Sequence, residues 1–270
     1  MRKKVSVLIL CLFLLIVLHV PAFAANQVHN MDIQAVINED GSMSITQNWS
    51  GLFEEGTEIY IPMNAPDYLT ISELAVSDQD GVYDTMSDWN VDWSFEEKAR
   101  KCGIHYTDSG YEICFGISRY GQNRYIITYK LDEAVGGFSD MDGVNFRFIN
   151  DGMNTTPTDV TVDIRLADGT PVTDEIADVW GFGFAGEVEF DNGNIIARTD
   201  TSLSAENHVT VLLALDKGIL TPLRQESGSF EEVREKAFEG SDYDNAGSTD
   251  EEGSGFAALV VTLLSIGFPI

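Results

Sequence analysis

Met31-Asp32-Ile33-Gln34-Ala35-Val36-Ile37, followed by Asn38-Glu39-Asp40-Gly41, decides how this chain folds. Met31, Ile33, Ala35 and Ile37 alternate with Asp32, Gln34 and Asn38. A period of two places these sets on opposite faces of an extended chain, so the segment reads as a half-buried β-strand. Asn38-Glu39-Asp40-Gly41 then turns the chain, because glycine at the end of the tetrad permits a positive φ. Met43, Ile45 and Trp49 continue the alternation on a return strand.

The same grammar extends outward. Ile59, Ile61 and Met63 mark a third strand stopped by Pro66, and residues 69–77 a fourth that ends in Asp78-Gln79-Asp80-Gly81. Residues 84–93 are acidic and aromatic without a period and read as a loop. Ser94-Phe95-Glu96-Glu97 has the form of a capping box that opens a turn or two of helix. Strands follow over residues 101–106, 111–118 and 123–131. Residues 144–149 form another, apolar in part on both faces. Val160, Val162, Ile164 and Leu166 alternate strictly with Thr161, Asp163 and Arg165. Trp180-Gly181-Phe182-Gly183-Phe184 sets three aromatics on one face and two glycines on the other, and Trp180, like Trp49, reads as core. A hairpin around Asp191-Asn192-Gly193 and a strand through Val209, Val211, Leu213 and Leu215 close the set. Roughly a dozen short strands joined by Asp/Asn-Gly turns predict an all-β fold, an antiparallel β-sandwich with one or two short helices.

The flanks set the compartment. Arg2-Lys3-Lys4 precede an apolar run over residues 5–18, and Ala22-Phe23-Ala24 supplies a small-x-small cleavage site. That is the layout of a secretory signal over residues 1–24, so residues 25–220 are expected to form an extracytoplasmic domain. Ser229-Phe230-Glu231-Glu232 repeats the capping pattern, with Phe230, Val233 and Ala237 on one face of a short helix ending at Gly240. Residues 241–255 are acidic and rich in Gly and Ser, so residues 221–255 read as a helix followed by a flexible tether. Residues 256–270 are almost wholly apolar but shorter as a helix than the ~30 Å hydrocarbon core. They read as the start of a truncated transmembrane helix, which would hold the chain at a membrane; a chain truly ending at Ile270 would instead be secreted.

Charge narrows the partners. Sixteen basic residues face 44 acidic ones, a net charge of −28, and the leader removes three bases and no acids. Such a surface repels nucleic acid and anionic lipid. No G-x-S-x-G or H-E-x-x-H motif occurs, and His29, His105 and His208 are scattered, so neither a catalytic site nor a cofactor is expected. Asp78, Asp80, Asp140 and Asp142 offer hard oxygen ligands for calcium, but no loop carries the distal Glu of a full site, and Asp-Gly is ordinary turn chemistry. Trp89 and Trp93 in the acidic loop are candidates to stack on a sugar ring.

With Cys11 in the leader, only Cys102 and Cys114 remain, on either side of Thr107-Asp108-Ser109-Gly110. Export makes a disulfide possible. Parity weighs against it. Ile113, Phe115 and Ile117 share one face and leave Cys114 on the other, so a bond requires a bulge or altered register.

Several stretches resemble one family in order along the chain. They are Asn38-Glu39-Asp40-Gly41-Ser42, Phe95-Glu96-Glu97-Lys98-Ala99 before Gly103-Ile104, and Tyr125-Ile126-Ile127-Thr128-Tyr129, then Trp180-Gly181-Phe182-Gly183 and Phe230-Glu231-Glu232-Val233. Over about residues 28–240 the chain resembles DUF2207, a bacterial family described as a predicted membrane protein of unknown function. The resemblance implies a signal, an extracytoplasmic β-rich domain and then transmembrane helices, and it supplies no catalytic residues. The resulting expectation is a membrane-tethered, non-catalytic binding or assembly module at the bacterial cell envelope, whose partner is an envelope protein or glycan. The alternatives are a carbohydrate-binding or carbohydrate-cleaving domain using Trp89 and Trp93, and a calcium-stabilised adhesive module.

Overall fold

The computed structural model describes residues 26–63, 66, 68–108 and 110–241. The leader and the apolar C-terminal run lie outside the described residues, as does all of the tether beyond Ser241. In chain order the strands begin with β1 (Gln27–Ile37), β2 (Met43–Phe53), β3 (Glu58–Met63), β4 (Thr70–Asp78), β5 (Gly81–Val82) and β6 (Asp84–Thr85). After helix α1 (Phe95–Lys98) come β7 (Lys101–Thr107), β8 (Gly110–Gly116), β9 (Gly121–Asp132), β10 (Gly136–Gly137) and β11 (Met141–Ile149). The last group is β12 (Thr156–Leu166), β13 (Ala177–Phe182), β14 (Gly186–Asp191), β15 (Asn194–Thr199), β16 (Val209–Asp216) and β17 (Arg224–Gln225), then helix α2 (Phe230–Phe238).

These strands form three sheets around one core. The largest runs β14-β15-β12-β1-β2-β9-β4-β5; a second runs β13-β16-β11-β10-β17, and a third β3-β8-β7-β6. The predicted turn forms as read: Gly41 sits at φ 80°, and its amide donates to the Asn38 carbonyl at 3.0 Å. Alternate residues of β1 and β2, from Met31 to Ile37 and from Met43 to Phe53, point inward. They meet Ile59, Ile61, Ile113 and Phe115 of the third sheet, and Phe146, Val211 and Leu213 of the second. Gln47 is the polar exception on this inward face. Its amide donates to the Tyr129 hydroxyl at 2.9 Å and its carbonyl accepts from the Trp49 indole at 2.9 Å, so burial leaves neither end unpaired.

The fold is all-β, but its pairing is mixed where the turn chemistry predicts antiparallel order. β1 pairs with β12 in parallel while pairing antiparallel with β2, and β6–β7 and β10–β17 are also parallel. Alternation shows which side chains are buried; it is silent on which strand lies alongside. Within the stretch read as a loop, Asp84 and Thr85 pair with Lys101 and Cys102.

The aromatic run is split between two cores. Trp180 and Phe182 lie on the outer face of their sheet beneath α2, with Phe238 5.7 Å from the Trp180 ring. Phe184 packs instead in the main core. The strand ends at Phe182, and Gly183 at φ 86° breaks the parity before Phe184. Helix α2 closes a small outer core with Leu212, Ala214 and Phe138. Gly143 makes room for it: a Cβ there would sit 2.2 Å from the Phe230 ring.

Candidate functional site

The acidic aromatic loop is locked to the body of the protein. Ser94 and Glu97 form the predicted capping box, with the Ser94 amide donating to Glu97 at 2.8 Å and the Glu97 amide to Ser94 at 3.3 Å. The short helix delivers Lys98 to the interior. Its ammonium donates to the Thr57 hydroxyl at 3.0 Å, to Glu58 at 3.0 Å and to the Val91 carbonyl at 2.6 Å. The second Glu58 oxygen accepts from the Trp89 indole. Trp89 is buried and stands edge-on to Trp93, while Lys101 lies 5.1 Å over the Trp93 ring. The two tryptophans are thus brought together, Trp93 half-buried and Trp89 buried with no open face for a sugar.

The four candidate calcium ligands do not converge. Asp78, fully shielded, accepts from the Tyr83 hydroxyl at 3.0 Å and the Asp80 amide at 2.8 Å, and pairs with Arg100 at 3.5 Å. Burial raises the Tyr83 hydroxyl far above its ordinary pKa, which keeps it a donor. Asp80 pairs with Arg119 at 3.5 Å. Asp140 caps α2 by accepting from the Phe230 amide at 2.7 Å and the Glu231 amide at 3.2 Å. Partial burial opposes its ionisation, but these amides outweigh that and hold its pKa below the ordinary carboxylate value. Asp142 is buried and pairs with Lys217 at 2.6 Å. Among the described residues no group of three or more His, Cys, Asp or Glu is placed to hold a metal ion.

Cys102 and Cys114 are both free thiols and both buried. In the β7–β8 ladder Cys102 lies opposite Phe115, and Cys114 opposite Gly103. The one-residue offset places their side chains on opposite faces of the hairpin. Burial pushes both thiols up in pKa, and for Cys114 the carboxylates of Glu58 and Glu112 add to it. Neither is primed as a nucleophile.

What sequence reading missed is a groove along the edge of β11. Its volume is about 610 Å³, within the range of ligand-binding clefts. The consecutive residues Val144, Asn145, Phe146 and Arg147 all line it, so its floor is the strand's edge rather than one face. Met63, Tyr68 and Leu69 stand opposite, and His208 and Thr210 close the outer side. Arg224 stacks 4.1 Å over the Tyr68 ring, and Arg147 pairs with Asp151 at 2.8 Å. Among its described lining residues none is a carboxylate. The ring of His208 packs on Gly183 and lies 2.9 Å from the Thr210 hydroxyl. Burial lowers its pKa, and the charge of Arg147 lowers it further. The one available signal was the mixed apolar and polar character of residues 144–149, which marks a strand contacted on both faces.

Fold and site together define an all-β domain whose sequence-predicted site residues are tied into its own structure, with a separate groove along β11. A family model described as predicted membrane protein (DUF2207) N-terminal domain matches residues 27–215, and the chain belongs to that family. No curated protein matches the chain. Distantly similar solved structures include yeast LTA4 hydrolase in complex with bestatin, at 10% identity and TM-score 0.45, covering 72% of this chain and 29% of that one. Legionella pneumophila aminopeptidase A in complex with aspartic acid is 11% identical at TM-score 0.36, covering 71% and 21%. An M1 zinc metallopeptidase from Deinococcus radiodurans is 8% identical at TM-score 0.34, covering 70% and 42%. This chain spans less than half the length of each. Likeness at that level does not reach chemistry. Among the described residues, no helix is long and apolar enough to cross a membrane.

Proposed function

We propose that this domain is a non-catalytic binding or assembly module, tethered to the bacterial cell membrane with its β-sheets on the extracytoplasmic side. The groove along β11 carries the reading: it combines apolar surface with hydrogen-bonding groups. The leader-like N-terminus, the apolar C-terminal run and membership of a predicted membrane-protein family support the location. A sugar platform at Trp89 and Trp93 would first require the loop to leave Glu58 and Lys98. The test is in-cell crosslinking of the tagged full chain, followed by mass spectrometry of the adducts. A recurrent envelope protein is the expected result; capture of cell-wall glycan alone, or of nothing, overturns the proposal.

A further inference from the structure

The groove has a backbone floor, and that restricts what fits it. The Phe138 amide donates to the Met141 carbonyl at 2.9 Å, so Met141 directs its backbone groups toward β10. Orientation alternates along an antiparallel strand, so Gly143, Asn145 and Arg147 direct theirs the same way. Gly143 meets Gly136. Beyond it β10 stops, and on this side no strand among the described residues pairs with Asn145 or Arg147. The chain that would continue the lane turns off at Ala134, whose carbonyl is held by Arg224 at 3.1 Å. Among the described residues, a strand position in line with β10 is therefore unfilled, with Met63, Tyr68 and Leu69 lining the same groove.

We propose that the edge of β11 binds an extended segment of a partner polypeptide, which adds to the sheet as a strand in line with β10 and antiparallel to β11. Another backbone supplies the alternating donors and acceptors that Asn145 and Arg147 present. Successive side chains of an added strand point to opposite sides. One set enters the apolar side with Met63, Leu69 and Phe146; the other faces Asn145, Arg147 and His208. The partner segment thus alternates apolar residues with polar ones. This inference rests on the reading of the domain as a binding module and names its surface.

The test uses the full chain and short synthetic peptides that alternate valine with threonine. The threonine peptide should bind and slow exchange of the Asn145 and Arg147 amides. Methylating its alternate backbone nitrogens should weaken binding by about tenfold or more. Asn145→Pro, which removes an edge N–H that β16 does not use, should weaken it similarly, while Asn145→Ala should not. Binding indifferent to N-methylation, protection confined to other amides, or no binding by any peptide would overturn the inference. So would protection that rises with protein concentration alone, which would assign the edge to a second copy. The N-methylated peptide decides the matter even if Asn145→Pro fails to fold. If the peptides fail while in-cell crosslinks recur elsewhere on the domain, this inference falls and the broader reading stands. If no crosslinked partner is found, the broader reading itself falls.

Discussion

Lys98 and Glu58 meet 3.0 Å apart inside the protein, with the lysine side chain only 2% exposed. An ammonium in that setting is tolerable only with its protons matched, and Thr57, Glu58 and Val91 match them. The pair joins the start of β3 to the end of α1 and holds Trp89 between them.

Replacing Lys98 with Ala leaves Glu58 in a shielded site without its counter-charge. The expected loss is about 3–5 kcal/mol of unfolding free energy, read from urea denaturation. A loss below about 1 kcal/mol would mean that water solvates Glu58 and the pair is superficial.

Helix α2 should come away without the sandwich. Gly143→Ala drives a methyl group into collision with the Phe230 ring edge, and Asp140→Ala removes the acceptor of two amides. The second change should cost about 1 kcal/mol of local stability. Both should speed tryptic cleavage after Arg234 and leave amide protection in β1 and β2 unchanged. Equal loss of protection in β1 would show the helix to be part of one cooperative unit.

Native protein should resist thiol reagents. Cys102 and Cys114 are buried on opposite faces of a hairpin, so neither labels in the folded state and both label in denaturant. Reducing agent should leave the melting temperature unchanged. A mass shift on reduction would contradict the ladder register.

Acid should act first through His208. The fold lowers its pKa, by burial and then by Arg147, with Asp151 partly offsetting. The unfolded chain therefore takes up the proton first, at about pH 6.5, and the folded form only at lower pH. Stability is full above that value and falls as pH drops through it toward the folded pKa. His208→Gln should flatten the decline between about pH 7.5 and about pH 5 seen in thermal melts; an unchanged slope would assign the decline to other groups. Asp140 acts lower. Its depressed pKa stabilises the fold above the ordinary carboxylate value, and that contribution is lost as pH falls through its folded pKa.

Local structure was legible where the chain's own neighbours decide it. The Asn38–Gly41 turn, the alternation of β1 and β2 and the Ser94–Glu97 box all rest on contacts within a few residues. Long-range pairing was not. Nothing in residues 27–37 names Thr156–Leu166 as a neighbour, and the second capping pattern gave no hint that Asp140 would hold the helix start. The candidate site residues show the same division. Trp89, Asp78 and Asp140 stood out by residue type, but their partners Glu58, Arg100 and Phe230 come from other segments. The groove escaped notice because its floor is backbone, which residue identity does not encode.

The placing of β1 between β2 and β12 governs how the protein is made. Its first neighbour follows at once, but the second is Thr156–Leu166, so Gln27 waits for Thr156. A chain delivered N-terminus first must hold the β1–β2 hairpin with one edge of backbone N–H and C=O groups unpaired until β12 arrives. High contact order makes folding slow, and the exposed edge invites the wrong strand meanwhile. The time between the appearance of β2 and that of β12 is when this protein is most exposed to misassembly.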